Sequence, residues 1–205
     1  MTTTNGSERR TGAETRAEIL RVALKLFTEK GFEGTSIRDI SGALEITKSA
    51  LYYHFENKEA IAVSLMEGRR REVDDLVDWI AGQPAAPDLL RRAALRWVES
   101  STPESLQVMR LAHANQPVIQ RLVGSGKDVR SAFDRVFDLL VDEGATAEER
   151  LFARMAFDTV GAALLAAQGT EADPDDVISA ARRATIALTR TATTRPSFDE
   201  QDEAR

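Results

Sequence analysis

The sequence of 205 residues contains no cysteine. That excludes a disulfide framework, thiolate-bound zinc, an iron–sulfur cluster and any thiol nucleophile. Histidine occurs only as His54 and His113, too few for a His-based metal site. Long apolar runs are missing as well. The most apolar segment spans residues 160–167, far short of the roughly 20 residues a membrane span needs. The first sixteen residues, Met1 to Arg16, are polar and lack the apolar stretch of a secretory signal. A cytoplasmic protein without membrane association is therefore expected. Positive charge is in deficit, with a net charge of −6. That argues against nucleic-acid contact over the whole surface and leaves a local basic patch open.

Signatures of catalysis are absent too. No nucleophile–base pair, paired-carboxylate motif or cofactor fingerprint stands out. Gly124-Ser125-Gly126-Lys127 hints at a phosphate loop, but Arg121 stands where the first glycine belongs and Asp128 replaces the hydroxyl residue. The expectation is a protein that is not an enzyme and uses no cofactor or metal.

What the chain does have is persistent helical periodicity, with almost no alternating strand pattern. The predicted fold is all-α, with nine or ten helices. Ile19, Ala23, Leu26 and Phe27 form one apolar stripe, and Gly31 ends that helix. Ser36 and Asp39 have capping-box spacing and start a second, short helix carrying Ile37, Ile40 and Leu44. Thr47 caps a third brief helix through Phe55, and Asn57 caps a longer one from Lys58. Further helices are predicted at about 58–81, 88–100, 104–114, 128–143, 147–168 and 174–191, with a short stretch reaching Val123. Residues 1–12 and 193–205 are too poor in apolar groups to offset the entropy of ordering. The predicted division is a disordered arm over 1–12, an N-terminal helical domain over 13–57, a C-terminal helical domain over 58–192 and a disordered tail over 193–205.

Two short helices joined by about three residues and braced by a longer one make a helix-turn-helix, whose second helix lies in the major groove. Ile37, Ile40, Leu44, Ile46, Leu51 and Phe55 supply a small core. Between those positions Thr47, Lys48, Ser49, Tyr52, Tyr53 and His54 remain on the outer side, with no acid between Ile46 and Phe55. Hydroxyl, ammonium, phenol and imidazole groups suit phosphates and base edges. Residues 1–58 carry a net +1 and the remainder −7, which puts the less acidic end where DNA is expected.

Residues 13–62 resemble the TetR family of bacterial transcriptional regulators. The stretches Leu26-Phe27-Thr28-Glu29-Lys30-Gly31-Phe32 and Thr47-Lys48-Ser49-Ala50-Leu51-Tyr52-Tyr53-His54-Phe55 carry that resemblance. It implies an N-terminal DNA-binding domain and a C-terminal domain that dimerises and accepts a small effector. Lys48, Tyr52, His54 and Lys58 correspond to DNA-contacting places, mostly at phosphates. Arg38 and Thr47 correspond to base or backbone contacts, and Ser36, Ser49 and Tyr53 complete the expected DNA-facing set. One departure is Glu45, where the family commonly has glycine; if the turn needs positive φ, glutamate costs on the order of 1 kcal/mol there.

Beyond this region the expectations rest on residue type. Trp97, Met109, His113, Phe133, Phe137 and Met155 are candidates for a pocket holding an apolar effector, with His113 predicted on the same inward face as Met109. Phe157, Val160, Leu164, Ile178, Ala181, Thr185 and Leu188 are candidates for a homodimer interface. Arg69, Arg70 and Arg71 are read as a solvated face. The expected function is a repressor that binds a palindromic operator as a homodimer and is released by the effector. The alternatives are an activator, or a helical ligand carrier or enzyme that keeps only the helix-turn-helix shape.

Overall fold

The computed structural model describes residues 11–124 and 129–191. The expected arm, apart from Thr11 and Gly12, the expected tail and residues 125–128 lie outside them. Ten α-helices are present, and no strand occurs among the described residues: α1 (Gly12–Lys30), α2 (Ile37–Ala43), α3 (Lys48–His54), α4 (Lys58–Ala81), α5 (Leu89–Glu99), α6 (Pro103–Ala114), α7 (Gln116–Val123), α8 (Val129–Leu140), α9 (Ala147–Ala166) and α10 (Pro174–Thr191).

The helix starts are set by local hydrogen bonds. Thr11, Ser36 and Thr146 each accept from the backbone N–H three residues on, while the acid at that position accepts from the cap backbone. Each box satisfies donors that the first helical turn leaves free. Asn57 accepts from the Ala60 N–H at 2.7 Å, as its predicted capping role requires. At α1's end Gly31 has φ 79° and ψ 158°. Gly34 is needed for a different reason, since a Cβ there would lie 2.4 Å from the Lys30 carbonyl oxygen.

The described chain packs as two units. The first combines residues 11–69 with 107–124. Its core joins Ile19, Leu24, Phe27, Phe32, Ile40, Leu51 and Phe55 to Ile61 and Leu65 of α4 and to Val108, Leu111 and Ile119 of α6 and α7. The boundary expected after residue 57 is therefore displaced. The first turns of α4, together with a segment distant in sequence, complete the apolar core of the N-terminal helices. Three helices as short as α2 and α3 with α1 bury too little surface alone, which is the physical reason for the larger unit.

That packing also buries Arg69, only 5% exposed, whose guanidinium lies 3.5 Å from the Met109 sulfur. Arg69 is thus not part of a solvated face. His113, two residues beyond the core residue Leu111, is exposed rather than turned inward.

The second unit combines residues 70–106 with 129–191. Here α5, α9 and α10 pack on one another. Trp97, Phe133, Phe137 and Phe157 form an aromatic cluster with centroids 5.0–6.2 Å apart, mostly edge to face, the geometry that ring quadrupoles favour. Between α9 and α10 the buried Thr159 and Thr185 hydroxyls share a 2.8 Å hydrogen bond, and Thr185 also donates to the Ala156 carbonyl at 3.3 Å. No described helix is long and apolar enough to cross a membrane.

Candidate nucleic-acid interface

The turn between α2 and α3 decides how the third helix is presented. Leu44 and Ile46 pack against the core while Glu45, between them, takes φ 56°. Its N–H donates to the Gly42 carbonyl and the Ile46 N–H to that of Ser41, at 3.2 and 3.1 Å. The chain thus reverses tightly enough to put Thr47 at the cap of α3, where its hydroxyl accepts from the Ala50 N–H at 3.1 Å. Leu51 and Phe55 then anchor α3 inward and are buried.

The consequence is an outer face made of polar and aromatic groups. Lys48, Ser49, Tyr52 and Tyr53 are exposed, Tyr52 to 52% and Tyr53 to 85%. Of the seven large hydrophobic or aromatic side chains exposed among the described residues, two are these tyrosines. Lys48 and Arg38 form no ion pair among the described residues. Both are exposed, which leaves each cation open to contact with phosphates.

The remaining predicted residues are more constrained. Ser36 is exposed, but its hydroxyl hydrogen-bonds the Asp39 carboxylate. That bond, the Ser36 backbone N–H at 2.9 Å and the Lys30 ammonium at 3.2 Å hold the Asp39 pKa at about 2. His54 is half-buried, edge-on to Tyr53 with centroids 5.2 Å apart. Lys58 does not project freely. Its ammonium donates to the Phe32 carbonyl at 3.0 Å and to Glu33 at 3.3 Å, and the side chain is 18% exposed. Its position at the start of α4 brings it against the loop after α1, a contact that sequence spacing alone does not reveal. Arg16 was missed as well. It bonds the buried Ser64 hydroxyl at 2.7 Å and covers the Phe55 ring at 4.7 Å, fixing α1 against α3 and α4.

The residues expected to form an effector pocket do not assemble within one unit. Met109 and His113 belong to the first, while Trp97, Phe133, Phe137 and Met155 belong to the second. Trp97, Phe133 and Phe137 are packed against Phe157, and Met155 is exposed. Of the expected dimer residues, Phe157, Val160, Leu164, Ala181 and Thr185 are buried within the chain's own packing, and Ile178 and Leu188 are half-buried. The outward apolar residues of α9 are instead Leu151, Phe152, Met155 and Leu165.

Comparison with known proteins matches the same segment of the chain. The model of bacterial regulatory proteins of the tetR family matches residues 19–65. The HTH-type transcriptional regulator AcrR of Shigella flexneri is 33% identical over 93 residues, 44% of this chain and 43% of that protein. The icaADBC negative transcriptional regulator IcaR of Staphylococcus epidermidis is 50% identical over 44 residues, 22% of this chain and 24% of its own. The chain thus spans less than half the length of these two relatives. Over 193 residues, 89% of this chain and 76% of the relative, it is 28% identical to the class C tetracycline repressor of Escherichia coli. Among solved structures, the ketosteroid transcriptional regulator KstR2 of Mycobacterium tuberculosis superimposes with a TM-score of 0.64 at 20% identity, covering 88% of this chain and 96% of that one. At that identity the likeness concerns the fold alone. Residues 19–65 thus match the tetR family of bacterial regulatory proteins, and the chain as a whole shares the fold of a solved transcriptional regulator.

Proposed function

We propose that the protein is a repressor that binds a palindromic operator as a homodimer in the bacterial cytoplasm and is released by a small effector with a large apolar body. The observation that carries the reading is the face of α3, where Lys48, Tyr52 and Tyr53 stand exposed while Leu51 and Phe55 hold the helix from behind. One helix of seven residues reaches few base pairs, so sequence selectivity calls for a second copy on a second half-site. The exposed Leu151, Met155 and Leu165 share one face of α9 and supply the apolar surface that a two-fold partner buries. Ligand release is supported by likeness to a tetracycline repressor.

Sedimentation with and without operator DNA tests the proposal. A dimer at micromolar concentration that binds one inverted repeat per two chains is expected. Full affinity for an isolated half-site by a monomer overturns it. The double variant L151E/L165E separates the two parts, because it should stay folded, sediment as a monomer and lose most operator affinity.

A further inference from the structure

The predicted pocket residues are divided between units, but the second unit holds a groove of about 630 Å³ whose lining includes Trp97 of that predicted set. Its size falls within the range usual for small-ligand sites. Trp79 of α4 lies at this groove, with the guanidinium carbons of Arg92 and Arg96 of α5 at 5.6 and 4.9 Å from its ring centroid. Arg92 also donates to the Gln83 side chain. Neither arginine pairs with a carboxylate among the described residues. Two guanidiniums one helical turn apart repel each other, so an anion shared between them removes a repulsion as well as gaining bidentate hydrogen bonds. Leu76 and Leu95 supply the apolar lining beside them.

The acidic lining is elsewhere in the groove. Asp75 and Glu72 precede Trp79 by four and seven residues on α4, about 6 and 10 Å along the helix axis. Glu99 is tied to Arg182 at 3.1 Å. Arg92 and Arg96 thus stand at the Trp79 ring, and the carboxylates of α4 begin one helical turn before it. From this we infer that the groove between α4 and α5 is the effector seat and takes a flat aromatic anion, its charged group on Arg92 and Arg96 and its body over Trp79, Leu76 and Leu95. A second anionic group at the far end is disfavoured by Glu72 and Asp75. This rests on the ligand-release reading above.

Two dyes of shared aromatic skeleton test it with the full-length protein at low ionic strength. 1-Anilinonaphthalene-8-sulfonate carries the anion, and N-phenyl-1-naphthylamine lacks it. The sulfonate should bind at least tenfold more tightly than the neutral dye. R92Q/R96Q should lose that tenfold while leaving neutral-dye binding and helicity unchanged and lowering the melting temperature by only a few degrees through the lost contacts to Trp79 and Gln83, and R92K/R96K should recover part of it. Equal affinity for the two dyes, or sulfonate binding indifferent to R92Q/R96Q, overturns the site. Operator affinity measured with saturating sulfonate dye checks the coupling separately. Arginine-dependent weakening supports the effector seat, and arginine-dependent dye binding with unchanged operator affinity overturns that role. Release by another ligand unaffected by R92Q/R96Q also overturns it, while leaving ligand release itself intact.

Discussion

The Lys58 ammonium is held by Phe32 twice, through a 3.0 Å hydrogen bond to its carbonyl and through the face of its ring at 4.5 Å. With Glu33 alongside, this lysine fastens the start of α4 to the loop that follows α1. Its charge is already engaged within the chain. Lys58→Ala is therefore expected to destabilise the protein by about 1–2 kcal/mol, from a charged hydrogen bond and a cation–π contact. The slope of log affinity against log salt should stay unchanged. Urea titration and a salt series with operator DNA check both halves, and a slope reduced by one unit shows that Lys58 contacts phosphate after all.

Lys48 gives the opposite pattern. It is exposed at the first position of α3 and contributes to no core. Lys48→Ala should leave the melting temperature within about a degree and reduce the salt slope by roughly 0.9, the contribution of one phosphate contact. The same salt series decides it, with an unaltered slope as the contrary result.

Asp39 sets a pH dependence. Its carboxyl is held at about pKa 2 by the Ser36 hydroxyl and N–H and by Lys30, below the ordinary 3.8. A depressed folded pKa means that the ionised form stabilises the folded state. That contribution is complete above about pH 3.8 and is lost as pH falls through about 2. The stability difference between wild type and Asp39→Asn should hold steady above pH 4 and shrink between pH 4 and 2. A difference that persists undiminished at pH 2 removes Asp39 as its source.

Glu45 combines strain with charge. At φ 56° a residue with a side chain pays a steric penalty that glycine avoids. Glu45→Gly is expected to stabilise the fold by about 1 kcal/mol, less the entropy glycine gains when unfolded. Glu45→Gln keeps the strain and removes the charge beside α3. It should leave stability unchanged and raise affinity for nonspecific DNA. Chemical denaturation and binding to random-sequence duplex separate the two effects.

These residues also mark what the sequence reveals. The Ser36–Asp39 cap, the small core from Ile37 to Phe55 and the special turn at Glu45 depend on neighbours within a few positions, so spacing exposes them. Lys58 meets a loop 25–26 residues earlier in the chain, and the positions of Arg69 and His113 follow from α6 and α7 returning to the first unit some forty residues later. No local pattern encodes that return. The face of α9 is hard to read for a related reason. It is apolar nearly all round, so periodicity cannot tell Phe157 and Leu164, buried by the chain itself, from Leu151 and Leu165, left outside. Trp79 with Arg92 and Arg96 was likewise invisible, because the indole and the guanidiniums lie on different helices.

The most direct measurement is selection of bound duplexes from a random-sequence DNA pool, run in parallel with wild type and with K48A/Y53A. Operator recognition by two copies of α3 predicts that wild type enriches one inverted repeat with half-sites a helical turn or a multiple apart, and that the variant enriches none. Recovery of no consensus by wild type, or of the same repeat by the variant, contradicts the account.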